Sequence, residues 1–214
     1  GERTFTNIGR ASGGIAPTSL SRALKLLEDK RIVVAERPLS CKPSRERRYR
    51  VADPYLRFWL TFLGPHFSEV ERGRGDRVLA RIRTGWLSWR GRAIEPVVRE
   101  ALERSAPSFA RASGEGLGNS AGVPGEVGAY WTRTNDPEID IVVADRAPVA
   151  KEILAVGSIK WLENAPFDAH DVAALQIHRS KLPGAAPGTP LITVARSGCI
   201  VDDVTHVTPD QLLY

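Results

Sequence analysis

The chain has 214 residues, 42% hydrophobic and 26% charged, which is the balance of a globular protein of one large or two small domains. No apolar run approaches the roughly 18 residues of a membrane span. Two cysteines, Cys41 and Cys199, without His or Cys at ligand spacing exclude a disulfide scaffold or a zinc finger and suit a cytoplasmic chain. The net charge of +5 divides unevenly: residues 1–104 hold 22 Lys+Arg against 12 Asp+Glu (+10), and residues 105–214 hold 8 against 13 (−5).

Residues 4–12 predict a short helix and Gly13-Gly14 a turn. The following stretch is the strongest helix signal: Leu20, Leu24 and Leu27 recur at helical spacing, and Thr18 or Ser19 can cap it. Ser21, Arg22 and Lys25 occupy the other face. Ile32–Val34 begin a strand, a polar loop follows with Pro38 and Pro43, and residues 49–53 return as a second strand. Two helices and a hairpin with a basic tip read as a winged helix-turn-helix over residues 1–53. Too few residues precede Thr4 for the expected leading helix. With the absent methionine, this suggests a fragment of a longer chain. In such a fold Thr18, Ser19, Ser21, Arg22 and Lys25 enter the major groove of double-stranded DNA. Arg37, Lys42, Arg45, Arg47 and Arg48 grip phosphate.

Residues 54–90 predict a helical connector. Asp53-Pro54 is a good helix start, and Tyr55, Phe58, Trp59, Phe62 and Phe67 predict a core stripe. Residues 76–91 and 92–107 predict two further helices, with Pro96 early in the second or kinking it. Residues 105–128, rich in Gly, Ser and Pro, predict a flexible loop. Strands are expected at 127–133, 138–145 and 152–161, then a helix at 168–182 capped by Asp168. Strands at 190–196 and 199–204 and a terminal helix complete the chain. From residue 91 on the order is αβββαβ, and the fold class is α+β or α/β. No Walker A glycine loop is present.

Glu95, Asp140 and Lys160 stand in order along that pattern. Strand residues two apart share a face, which pairs Glu138 with Asp140 and Ser158 with Lys160. Carboxylates converging on Mg²⁺, with a Lys to steady a nucleophilic water or phosphate charge, describe a metal-dependent phosphodiesterase. Glu95 and Asp140 would hold the metal. Ser158 stands where a second strand carboxylate is needed; Glu152 lies too far back along the strand, and Glu163 is a weak substitute. The site thus looks impaired. A plainer reading makes Asp140 and Lys160 an ion pair on adjacent strands and Glu95 a surface acid. The four histidines (His66, His170, His178, His206) pair with no Ser or Cys in a nucleophile motif.

The segments RYRVADPYLRFW, GRAIEPVVREAL, EIDIVV and GSIKW together resemble the C-terminal region of a family of archaeal and bacterial AAA-type ATPases. The resemblance runs from about Thr4 onward and is most specific around Asp53, Pro54, Tyr55, Phe58 and Trp59. It implies a winged helix followed by a PD-(D/E)XK, restriction-endonuclease-like domain over 91–214, with nuclease-like positions at Glu95, Asp140 and Lys160. The strand usually reads Gly-Glu-x-Lys-Trp, and here Ser158 replaces the acid. ATP would bind only in an upstream module that this sequence lacks. The +10 first half with its basic hairpin points to a DNA-binding, regulatory module, which the resemblance would make a fragment of a P-loop ATPase with an inactive nuclease-like domain. The alternatives are a Mg²⁺-dependent endonuclease and a scaffold docking on the ATPase module or another protein.

Overall fold

The computed structural model describes residues 3–112 and 125–213. The chain divides into two units, the first made of Gly1–Glu36 and Arg47–Trp89, the second of Arg37–Glu46 and Arg90–Tyr214.

In the first unit, the Thr4 hydroxyl accepts the Asn7 N–H and caps α1 (Phe5–Ala11). Gly13 and Gly14 turn the chain at φ +80° and +77°, a region closed to most side chains. α2 (Pro17–Asp29) starts earlier than a Thr18 or Ser19 cap requires. Its N-cap is Ala16, which has no side-chain acceptor, and Pro17 starts the helix through its preset φ. Leu20 and Leu24 are buried, and α1 approaches closely because a Cβ on Gly9 would lie 3.1 Å from Leu20 Cδ2. β1 (Val33–Glu36) pairs antiparallel with β2 (Arg48–Val51), and Arg50 Nε meets Glu36 Oε1 at 2.5 Å.

Asp53 caps α3 (Pro54–Phe58) by accepting the Leu56 N–H. A π turn (Trp59–Leu63), a 3₁₀ turn (Gly64–His66) and α4 (Phe67–Glu71) follow. The predicted aromatic stripe divides. Phe58 and Phe62 pack together at 5.3 Å and against Trp89 at 5.5 and 6.1 Å. Tyr55, Trp59 and Phe67 stay exposed. The two helices expected at 76–91 and 92–107 are one, α5 (Gly75–Ala112), with Pro96 in its interior. Its buried stripe continues past Pro96: Val98 and Leu102 are 1% exposed, one turn apart.

The second unit holds a five-stranded sheet in the order β3 (Glu126–Trp131), β4 (Glu138–Ala144), β5 (Ile153–Lys160), β6 (Leu191–Ala195), β7 (Thr205–Val207). The first three are antiparallel and the last three parallel. α6 (Ala169–Lys181) makes the crossover from β5 to β6. One face of the sheet packs Val142, Val156 and Phe167 with Val172 and Leu175 of α6. The other packs Ile141, Val143, Ile192 and Val194 with Val98 and Leu102 of α5. The fold class is α+β, with a mixed sheet between helices.

The expected order of helix, three strands, helix and strand is present, with corrections at its end. The strand expected at 199–204 is absent; Cys199 makes a single bridge with Phe167, and β7 lies further on. The terminal helix is one 3₁₀ turn, Asp210–Leu212. Of the loop expected at 105–128, the start belongs to α5 and the end to β3; residues 113–124 lie outside the described residues.

The expected wing tip is also different. Residues 37–46 form a strap along the outer edge of β3. The Leu39 N–H donates to Ala129 O (2.8 Å), the Ser40 carbonyl accepts the Ala150 N–H (3.0 Å), and the Cys41 N–H donates to Pro183 O (3.1 Å). Leu39 is 2% exposed and sits in the core beneath α6. It fills the space a Cβ on Gly128 would need. A proline-bearing segment with one large apolar side chain gains more from this burial than from projecting into water.

Candidate functional site

The β3–β4 register places the first functional residue. Gly128 pairs with Val142, but Tyr130 pairs with Ile139, so Asp140 and Ile141 together face Ala129. This is a β-bulge, which re-aims side chains. Ile139 and Val142 both belong to the α6-side core, while Ile141 belongs to the α5 side. Simple alternation, the basis for pairing Glu138 with Asp140, therefore fails locally, although both residues line the same cavity.

Gly157 keeps β5 close to its neighbours: a Cβ there would fall 2.5 Å from Ile192 Cγ1 and 2.8 Å from its carbonyl oxygen. Asp140 Oδ2 accepts two bonds from β5, from Ser158 Oγ at 3.0 Å and from the Ile159 N–H at 2.9 Å. Arg99 Nη1, on α5, donates to the Asp140 carbonyl at 3.0 Å. Burial pushes the Asp140 carboxyl above the usual aspartate range. The two hydrogen bonds and the Arg99 charge oppose that shift, and Glu138 adds to it.

Lys160 turns away from Asp140. Its Nζ meets Asp171 Oδ2 at 2.5 Å, with the two side chains 18% and 26% exposed. Asp171 is the third residue of α6, and its carboxylate also accepts the Asp168 N–H, completing a capping box with Asp168. Asp168 is held below the usual range, first by the Asp171 N–H it accepts. The ion pair expected between Asp140 and Lys160 is thus replaced by one between strand and helix. Glu163 does not take the place of an acid at 158, because it bonds Arg90 (2.7 Å) and Arg196 (2.8 Å).

A cavity of about 200 Å³ opens over these groups, lined by Glu138, Asp140, Ser158, Asp171, His178 and Leu175 among others. Glu95 is half-buried on α5, one turn before Arg99, and does not line it. Sequence reasoning missed Asp171 and His178. The signal for Asp171 was available: an acid three residues after an N-cap, on a helix that begins just after a strand ending in Lys.

These donors do not fit a Mg²⁺ ion. Asp140 Oδ2 is occupied by two donors and Asp171 by Lys160, and Ser158 offers only a hydroxyl. Among the described residues, no three His, Cys, Asp or Glu side chains form a metal-holding group.

On α2, Thr18, Ser19, Ser21, Arg22 and Lys25 are all exposed, and Lys25 meets Asp29 at 3.2 Å in an exposed pair. Arg37, Lys42 and Arg45 are exposed on the strap of the second unit, and Arg47 is exposed just before β2. Arg48, expected to grip phosphate, is 9% exposed and lies in the hairpin opposite Glu36.

A family model, DUF234, described as archaeal and bacterial proteins of unknown function, matches residues 59–172. The chain belongs to this family. The matched span runs from the π turn to the start of α6 and includes Asp140, Ser158, Lys160 and Asp171 of this DUF234 protein. Among curated proteins and among solved structures, none matches it. No helix among its described residues is long and apolar enough to cross a membrane.

Proposed function

We propose that the first unit binds duplex DNA through α2 and that the second is a nuclease-like domain retained without cleavage activity. Together they would form the regulatory C-terminal part of a P-loop ATPase of the kind the sequence resembles. The observation that carries the reading is the division of α2: Leu20 and Leu24 face inward, while Thr18, Ser19, Ser21, Arg22 and Lys25 face solvent after a Gly-Gly turn. Exposed cationic and hydroxyl groups on the second helix of such a pair suit phosphate and base-edge contacts.

Duplex affinity measured against salt tests this. Each phosphate contact contributes a slope of about −0.9. Replacing Arg22 and Lys25 by Ala should weaken binding at least tenfold and shrink the slope by about 1.8. A wild-type slope near zero overturns the reading.

For the second unit, Ser158 and the Lys160–Asp171 pair support loss of cleavage. Plasmid incubated with Mg²⁺ or Mn²⁺ should stay intact. Cleavage abolished by Asp140→Ala or Lys160→Ala would favour the endonuclease reading instead, which draws on the half-buried Asp140 lining a cavity.

A further inference from the structure

Leu26 is an apolar exception on the outer side of α2. The helix turns Leu20 and Leu24 into the core, but Leu26 is 58% exposed. At about 100° per residue it lies roughly 120° from Leu20 and 160° from Leu24, and within about 40° of Ser19 and Arg22. Its helix neighbours three and four positions away are Arg22, Ala23, Asp29 and Lys30, all exposed. Asp29 meets Lys25 at 3.2 Å, so Arg22 and Lys30 set a positive sign around Leu26. Ser19 and Ala23 are both short and leave this side of the helix backbone open to close approach.

We infer that Leu26 determines specificity by contacting the 5-methyl group of thymine in the major groove. This rests on the reading of α2 as the duplex-binding helix and adds to it a base that the helix reads. The floor of the major groove is polar except for the thymine methyl, and the groove is wide enough to admit a helix. A protein interface is built on a contiguous apolar core. One leucine set among Arg22, Asp29 and Lys30 supplies no such core on this helix, but it matches one methyl on an otherwise polar surface. Arg22, one turn before Leu26, stays a phosphate contact; it holds the helix in place while Leu26 reads the base.

Binding of the full chain to matched duplexes tests it. Selection from random-sequence duplexes of about 20 base pairs gives the preferred sequence. That duplex is then made twice, once with thymine and once with uracil at every thymine position, a change that removes only the 5-methyl groups. Wild type should bind the thymine duplex about fourfold more tightly for each methyl contacted. Leu26→Gln should bind both duplexes alike, whereas Leu26→Met, equally long but apolar, should keep the preference. The salt slope should be the same for all three proteins, because no phosphate contact changes. The inference is overturned if selection enriches no sequence, if wild type binds both duplexes equally, or if the preference survives Leu26→Gln. In each of these cases a steep salt slope leaves the duplex-binding role of α2 standing, while a slope near zero overturns that role and the inference together.

Discussion

α2 of the first unit and the cavity of the second handle charge in opposite ways. On α2 the polar side chains have Lys25–Asp29 as their exposed ion pair and otherwise face water. In the second unit the polar groups around the cavity are consumed internally: Ser158 and the Ile159 N–H by Asp140, Lys160 and the Asp168 N–H by Asp171. Groups satisfied by their own chain specify its structure, whereas groups left to solvent remain available to a partner. Resemblance to a nuclease therefore says less about the second unit's chemistry than the destination of each hydrogen bond does.

The largest effect should come from the strap. Leu39→Ala removes a fully buried side chain and should cost about 3 kcal/mol in chemical denaturation. A loss within experimental error would show that residues 37–46 are a loose wing after all. Lys160→Met leaves Asp171 with one donor, and with a partly exposed pair the cost should be about 1–2 kcal/mol. No loss would place Lys160 among the solvent-directed charges. Asp140→Asn should act in the other direction. Its folded pKa is raised, so its stabilising contribution is full below the ordinary aspartate value and is lost as pH rises through the folded value. The Asn variant should therefore melt higher than wild type at neutral pH, with a flatter stability profile from mildly acidic to neutral pH. Equal profiles would contradict the burial of this carboxyl. Least affected in stability should be the protein with Arg22 and Lys25 both replaced by Ala, within about 0.5 kcal/mol of wild type. A larger change would mean that α2 is structural.

The periodic elements were legible in the sequence because their signals are local. Leu20 and Leu24 mark α2, Asp53-Pro54 starts α3, and Asp168 caps α6, each within a few residues of its partner. Asp140 and Lys160 were recognised as the polar residues of β4 and β5. Their partners were not, since the bulge at Asp140–Ile141 depends on register with β3, and the Lys160–Asp171 contact crosses from strand to helix. The strap was misread for a similar reason. A basic loop between two strands looks the same in sequence whether it projects or docks, and only the distant Ala129, Ala150 and Pro183 distinguish the two. The single helix across Pro96 shows packing overriding a local breaker.

The strap also governs how the protein can be taken apart. A fragment ending at Trp89 carries off ten residues whose buried partners stay behind, exposing Leu39; one beginning at Arg90 leaves the β3 edge bare, an invitation to aggregation. Neither half is a clean expression unit. Isolating the sheet calls for residues 37–46 to be returned to it, as a fused N-terminal segment or as an added peptide, and the binding of that peptide would report directly on whether the sheet has folded.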